Sequence, residues 1–471
     1  MTLWLWIIGG LYLAVLVYAT IHSRRRTQSA DDYVLAGSNV GLFLGFLTFS
    51  ATVFSTFTLM GMPDFFRTHG VGAWIFLAIS DGGMVFLILA LGLYLRRRVA
   101  EKGFKGMSGL LSDCYGRRWG GYVYFAGAFL FLVPYVAIQI RGIGIFLEGA
   151  FPGTLPFWGW TTLIVMVMLI YSEIGGLKAI IYSDALQGLL LMTVTWIVAL
   201  GCIRYFGGVG AMFEQVGQVN EALLSTPGPN GLFSVQFLVA SFFAILMYPF
   251  TQPQVAVRIV IMKDGGSMRR MAVAVGIFAI MLILATIPIG MYGAVRYADL
   301  SVSDFLVNVL MFDQTPIIGA AVAVGLIAAA MSTADSQIFA LGAEVRSLIS
   351  GTERAVMLRT KLAIVFFAVA ALVFAVLSND QLVLLARVSF AGTAMLGPLV
   401  LAGIFSKTPP GLEVIVVTAA GVVVFGISSL GVIPASVGGV RMDLLLFAVL
   451  GLFTCGSVLY RNHRAEPAVQ V

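Results

Sequence analysis

The sequence predicts an all-α polytopic membrane protein of about thirteen transmembrane helices, and three observations carry that prediction. Of the 471 residues, 60% are apolar and only 11% are Asp, Glu, Lys or Arg. A soluble globular chain carries about 25% charged residues, so this one has too little charge to cover an aqueous surface. The mean hydropathy of +0.99 agrees. A helix crosses the hydrocarbon core with about 20 apolar residues. On that criterion the candidate spans are 2–21, 39–61, 72–95, 120–147, 157–173, 183–206, 232–260, 271–293, 316–346, 362–378, 382–405, 411–430 and 442–460.

The first segment ends in Arg24-Arg25-Arg26 and lacks both a basic leader and a small-residue cleavage site, so it reads as a retained helix rather than a signal peptide. Charge in the loops then sets the topology. With the amino terminus outside, 22 of the 28 Lys and Arg residues fall in cytoplasmic segments, as the positive-inside rule requires. An odd number of spans puts the carboxyl terminus in the cytoplasm. The net charge of +6 is topological by this reading, not a nucleic-acid footprint.

Other classes lack their residues. Cys114, Cys202 and Cys455 are too few and too scattered for a disulfide framework or a zinc site. His22, His69 and His463 lie at span edges or in loops, and HExxH, GxSxG and CxxC are absent, so the chain does not read as an enzyme. Without GxxxxGK[ST] there is no P-loop ATPase. Work on a solute would draw on an ion gradient.

Within the spans, polar residues are costly enough to be functional candidates. The second span holds six hydroxyl residues within eleven positions, from Thr48 through Ser50, Thr52, Ser55, Thr56 and Thr58. Hydroxyls replace backbone partners where a membrane helix unwinds; the plainer alternative is that they bond back to their own helix. In the ninth span Ser332, Asp335 and Ser336 share a helix face, flanked by Thr333. These are oxygen ligands only, which suit a hard cation. The sixth span opens with Ser183-Asp184 after Gly175-Gly176. The seventh contains Pro249 and Pro253, each of which removes a helix donor, so it is predicted to be broken. Broken helices line transporter substrate sites.

Together these segments resemble the sodium:solute symporter family. The resemblance is carried by Ala30-Asp31-Asp32-Tyr33 through Gly37, by Ser50 to Ser55 leading to Gly61, and by Gly175-Gly176-Leu177-Lys178 followed by Ser183-Asp184 and Gln187. Gln252-Pro253 with Arg258, and Ala329 to Ser336 with Ser332, Thr333 and Asp335, complete it. It implies a five-plus-five inverted-repeat, LeuT-like core, with repeat one at 39–206 and repeat two at 232–405. Helix 2–21 and helices 411–460 would be peripheral. It also implies a main sodium site from the carbonyls of Ala51, Phe54 and Ala329 and the hydroxyls of Ser332 and Thr333. A second cation site would use Asp184, Asp335 and Ser336. Asp335 departs from the hydroxyl that some two-sodium members carry, and either strengthens a cation site or acts as a protonatable group. Val53 stands where the proline symporters have a carboxylate, which argues against proline.

By the same resemblance the substrate contacts are Ser55, Thr58, Asp81, Gln139, Arg141, Tyr248 and Gln252; Arg387 is a further charged residue within a span. Arg141 and Arg387 each lie about 10 Å deep at 1.5 Å per residue. One reading forks a guanidinium onto a substrate carboxylate; the other pairs Asp81 with one arginine and lets the other reach outward. The first favours a carboxylate-bearing solute, such as a monocarboxylate or amino acid, over a neutral sugar. The predicted function is thus a sodium-coupled symporter importing a small organic solute by alternating access. Its coupling ion is Na+ and its setting the bilayer of a bacterial inner membrane, with no obligatory protein partner. A solute sensor built on the same scaffold is the competing class; a passive channel would not need paired broken helices.

Overall fold

Inside hydrocarbon a backbone has no water to bond with, so an apolar chain is drawn into helices that satisfy their own peptide groups. The computed structural model describes residues 1–24, 33, 35–37, 39–378 and 382–465. Arg25, Arg26, the Ala30–Asp32 stretch of the first motif and Asp380 lie outside the described residues. Within them the chain is helical almost throughout, with one small hairpin, Ser436–Val437 (β1) paired antiparallel to Val440–Arg441 (β2).

The helices, in chain order, are α1 (Thr2–Arg24), α2 (Leu42–Val53), α3 (Phe57–His69), α4 (Ala73–Lys102), α5 (Met107–Tyr115), α6 (Arg118–Ala150) and α7 (Phe157–Phe206). There follow α8 (Val209–Val219), α9 (Val235–Leu246), α10 (Tyr248–Thr251), α11 (Pro253–Val260), α12 (Gly265–Arg296), α13 (Val302–Phe312) and α14 (Pro316–Leu348). The chain closes with α15 (Glu353–Leu377), α16 (Leu382–Ala394), α17 (Gly397–Phe405), α18 (Leu412–Ser429) and α19 (Met442–Ala465).

Among the described residues, ten helices are long and apolar enough to cross a membrane, or eleven when α2 and α3 count as one bent span. The count of thirteen is not reached on this measure because two predicted spans are built from shorter pieces. The 157–173 span ends as a helix of Phe157–Ile170 before a kink, and 232–260 is divided into α9, α10 and α11.

The breaks follow from local chemistry. In α7 the helix is interrupted at Gly176, whose φ of 62° is open to glycine but strained for other residues. A Cβ there would also fall 2.7 Å from the Tyr33 ring. Between α9 and α11, Gln252 adopts an extended backbone (φ −104°, ψ 120°) directly before Pro253, the conformation that proline imposes on its predecessor. Between α2 and α3, Phe54 is extended (φ −98°, ψ 127°) and the two halves bend by 54°. No proline causes that bend. The freed backbone is met instead by hydroxyls: Thr58 Oγ1 accepts from Ser55 N at 3.1 Å, and Ser55 Oγ from Phe57 N at 3.3 Å.

Helix α14 is the central packing element, lying against α1, α6, α7 and α15. Its run of small residues lets neighbours approach closely, as is usual between membrane helices. Basic side chains tie off helix ends at the predicted cytoplasmic face. Arg96 donates to the carbonyls of Ile259, Val260 and Met262, and Arg98 to those of Ile404 and Ser406. The buried carboxylate of Glu344 accepts from the N–H groups of Met107 and Ser108 at 2.9 and 2.6 Å. It thereby caps α5, where negative charge is favoured.

Candidate sodium and solute site

The break between α2 and α3 leaves the carbonyl of Ala51 facing the middle of α14. Ser332 Oγ lies 3.1 Å and Thr333 Oγ1 3.0 Å from that oxygen. All three residues are buried, Ala51 at 1% exposure and the hydroxyl residues at 0%. Two hydroxyls and one carbonyl from two helices thus converge on one point, an all-oxygen set that fits a hard monovalent cation. Phe54, at the break itself, and Ala329, one turn before Thr333, stand on the same two segments.

The Ser332 hydroxyl is shared with Asp184, whose Oδ1 lies 2.5 Å away. Oδ2 of Asp184 accepts from Thr48 Oγ1 at 2.5 Å and from Arg258 Nη2 at 3.3 Å. That same Nη2 donates to Ser336 Oγ at 2.7 Å, and Nη1 to the Gln254 carbonyl at 3.1 Å. The residues predicted to form a second cation site therefore do not surround an open position. A guanidinium bridges Asp184 and Ser336, supplying from the chain itself the positive charge a second ion would bring. Asp335 stands apart from that bridge: it is 1% exposed, and neither carboxylate oxygen has a hydrogen-bond partner among the described residues. Nearby polar groups include Gln187, whose Nε2 donates to Tyr12 of α1 at 2.6 Å. The amino-terminal helix, predicted to be peripheral, thus reaches the polar interior.

On the other side of the α2–α3 break lies a narrow cavity of about 30 Å³, room for little more than one water-sized group in this conformation. Of the predicted substrate residues, Asp81, Tyr248 and Arg387 line it. Ser55 and Thr58 do not; they hold the helix break together. Gln252 is engaged with Thr393 and Gln254 at 3.1 and 2.6 Å. Gln139 contacts the Tyr135 carbonyl at 3.5 Å, with its own Oε1 unpartnered.

The two arginines invoked for a carboxylate are both occupied. Arg387 donates to Asp443 of α19 at 2.6 Å and to Ser241 at 2.8 Å, and its guanidinium lies 4.7 Å from the centre of the Phe237 ring. Arg141 donates to the Ala375 carbonyl at 2.8 Å and covers the Phe157 ring. The reading that made one of them the substrate's carboxylate partner is corrected by these contacts. Asp81 pairs with neither, so the alternative reading was only half right.

Thr48 and Arg258, as partners of Asp184, were missed at the level of individual roles, although both lay inside motifs the sequence displayed. The aromatic wall of the cavity, from Phe54, Phe57, Phe76, Tyr135 and Phe390, had no sequence signal, because the 35 phenylalanines are spread over nearly all the spans.

A model of the sodium:solute symporter family matches residues 33–409. The chain belongs to that family. It is 26% identical over 347 residues to a sodium/pantothenate symporter of Haemophilus influenzae, covering 70% of each chain. It is 23% identical to the osmoregulated proline transporter OpuE of Bacillus subtilis, covering 84% of this chain and 83% of that one. In fold it resembles a solved Na+-coupled sialic acid symporter, with a TM-score of 0.78, 16% identity and 99% of both chains covered. The protein is therefore a multi-span membrane transporter that couples movement of a small-molecule solute to sodium, on the fold shared by such transporters.

Proposed function

We propose that this symporter takes its coupling sodium between the α2–α3 break and α14, on Ala51, Phe54, Ala329, Ser332 and Thr333, and its solute in the adjoining cavity. The observation that carries the reading is the meeting of the Ala51 carbonyl with the Ser332 and Thr333 hydroxyls at 3.0–3.1 Å. One sodium moves per cycle, because Arg258 already spans Asp184 and Ser336. The core consists of repeats at 39–206 and 232–405, whose first helices are the two broken ones. Sodium on one break biases a rocking of one repeat against the other. Phe54 connects the two sites: its backbone forms the break and its ring lines the cavity.

The solute is a small organic molecule that enters the cell down the sodium gradient, and the amino-acid class suits the cavity better than a simple monocarboxylate does. The amino terminus lies outside and the carboxyl terminus in the cytoplasm of a bacterial inner membrane, the arrangement favoured by the loop charges. The chain works without an obligatory protein partner and catalyses no covalent chemistry.

Uptake into proteoliposomes tests this, with and without an inward sodium gradient, over radiolabelled amino acids, pantothenate, short carboxylates and sugars. Sodium-driven accumulation of one solute that disappears in Ser332→Ala/Thr333→Ala supports the proposal. Binding without sodium-driven flux would instead favour a sensor.

A further inference from the structure

The solute cavity holds two charged side chains, and only one is without a partner. Arg387 is committed to Asp443 and Ser241, with its guanidinium over Phe237. Asp81, on α4, is 8% exposed and lines the cavity, and among the described residues no hydrogen bond or ion pair reaches its carboxylate. A charge taken out of water needs a counter-charge or donors; Arg387 and the Tyr135 and Tyr248 hydroxyls line the same space, but among the described residues none of them is bonded to Asp81.

The rest of the wall narrows the choice of what does. Six rings, of Phe54, Phe57, Phe76, Tyr135, Tyr248 and Phe390, line the same space. Aromatic faces carry negative potential and attract organic cations, most strongly where water is excluded. A solute whose only charge is a carboxylate would meet a like charge, negative ring faces and an arginine already neutralised. Sodium itself is poorly suited to this space, since it takes several oxygen ligands and, besides the Asp81 carboxylate, only the Tyr135 and Tyr248 hydroxyls among the lining side chains supply oxygen.

We infer that the transported solute carries an ammonium group, as an amine, a zwitterionic amino acid or a quaternary ammonium, which pairs with Asp81 against the aromatic wall. This rests on the symport reading above and names the charge of its substrate. Asp81 is then the residue that selects for charge sign, and the ring cage limits the size and hydration of the group it accepts.

Ligand-induced thermal stabilisation of the full chain in nanodiscs tests the inference, in sodium chloride against potassium chloride. The probes are L-proline, L-phenylalanine, choline, the neutral choline isostere 3,3-dimethylbutan-1-ol, and the nitrogen-free carboxylates pyruvate and isobutyrate. The expected result is that at least one ammonium compound binds in sodium at least about tenfold more tightly than the neutral isostere and both carboxylates. Asp81→Asn should weaken that binding by about tenfold or more, while stabilisation by sodium alone stays as in the wild type and shows that the variant is folded. Asp81→Glu should recover part of the affinity.

The inference is overturned if a nitrogen-free carboxylate or the neutral isostere binds as tightly as the best ammonium compound. It is equally overturned if no ammonium compound binds, or if Asp81→Asn keeps full affinity. Loss of any sodium effect that depends on Ser332 and Thr333 would sink the sodium-site reading instead, and this inference with it.

Discussion

Arg258 Nη2 lies 3.3 Å from Asp184 Oδ2 in a region where the two side chains are 1% and 0% exposed. The pair joins the second broken helix to the long helix α7, next to the hydroxyls of the sodium site. A buried charge left alone costs roughly 3–5 kcal/mol, whereas an apolar replacement of both partners is often tolerated. Arg258→Met should therefore lower stability by about 3 kcal/mol or more, with Asp184→Asn/Arg258→Met recovering a good part of it. Thermal unfolding of the single and double variants in the same lipid measures this. A double variant as unstable as the sum of the singles would show that the pair is not coupled.

The same guanidinium bears on stoichiometry. With Arg258 across Asp184 and Ser336, uptake should depend on sodium with a Hill coefficient near one. Removing both hydroxyls in Ser332→Ala/Thr333→Ala should raise the half-saturating sodium concentration by about tenfold or more. Initial uptake rates over a sodium titration decide both points, and a Hill coefficient near two would refute the one-sodium cycle.

Arg387 and Asp443 hold α16 to α19 at 2.6 Å, with Arg441 adding a second contact to the same carboxylate at 3.1 Å. Asp443→Asn should cost stability, by about 3 kcal/mol or more. Because it removes the charge that neutralises Arg387 at the cavity wall, it should also shift the relative preference toward nitrogen-free carboxylates. A competition profile of unlabelled solutes against the transported one reads this directly; an unchanged profile would show that Arg387 has no bearing on the charge of the solute.

Gly176 at φ 62° breaks α7 just before Asp184 is delivered to the sodium site. Gly176→Ala should destabilise by about 1–2 kcal/mol from backbone strain alone, with the clash at Tyr33 added. Circular-dichroism melting is the check, and Gly175→Ala is no neutral control, because a Cβ there would press on the Ala179 side chain.

The class of the molecule, and the polar residues proposed here to hold sodium, stood out in the sequence for a simple reason. Hydrophobic runs long enough to cross a bilayer have few other uses, and hydroxyls and carboxylates are too costly there to be scattered at random. The helix breaks were legible for the same kind of reason: Pro249 and Pro253 mark one, and the run from Thr48 to Thr58 marks the other. Ser332 and Thr333 meet Ala51 as that pattern suggests. Asp184 joins Ser332 as well, although the partner that balances it, Arg258, comes from 74 positions further along the chain.

What only the tertiary structure decided was how each charge is spent. Arg387 reads as a substrate ligand from sequence because it is a charged residue deep within a span; its partner, Asp443, lies 56 positions away on a helix predicted to be peripheral. Asp81 looked like a candidate for pairing with an arginine and instead faces the cavity alone. Composition and periodicity are sums over local residues, so they fix that the chain spans a membrane and where its helices weaken. Charge neutralisation in a low-dielectric interior depends on contacts within about 4 Å between helices far apart in sequence. The sequence therefore determined a sodium-coupled membrane transporter, and the packing of α4, α16 and α19 decided which sign of charge its cavity is left to bind.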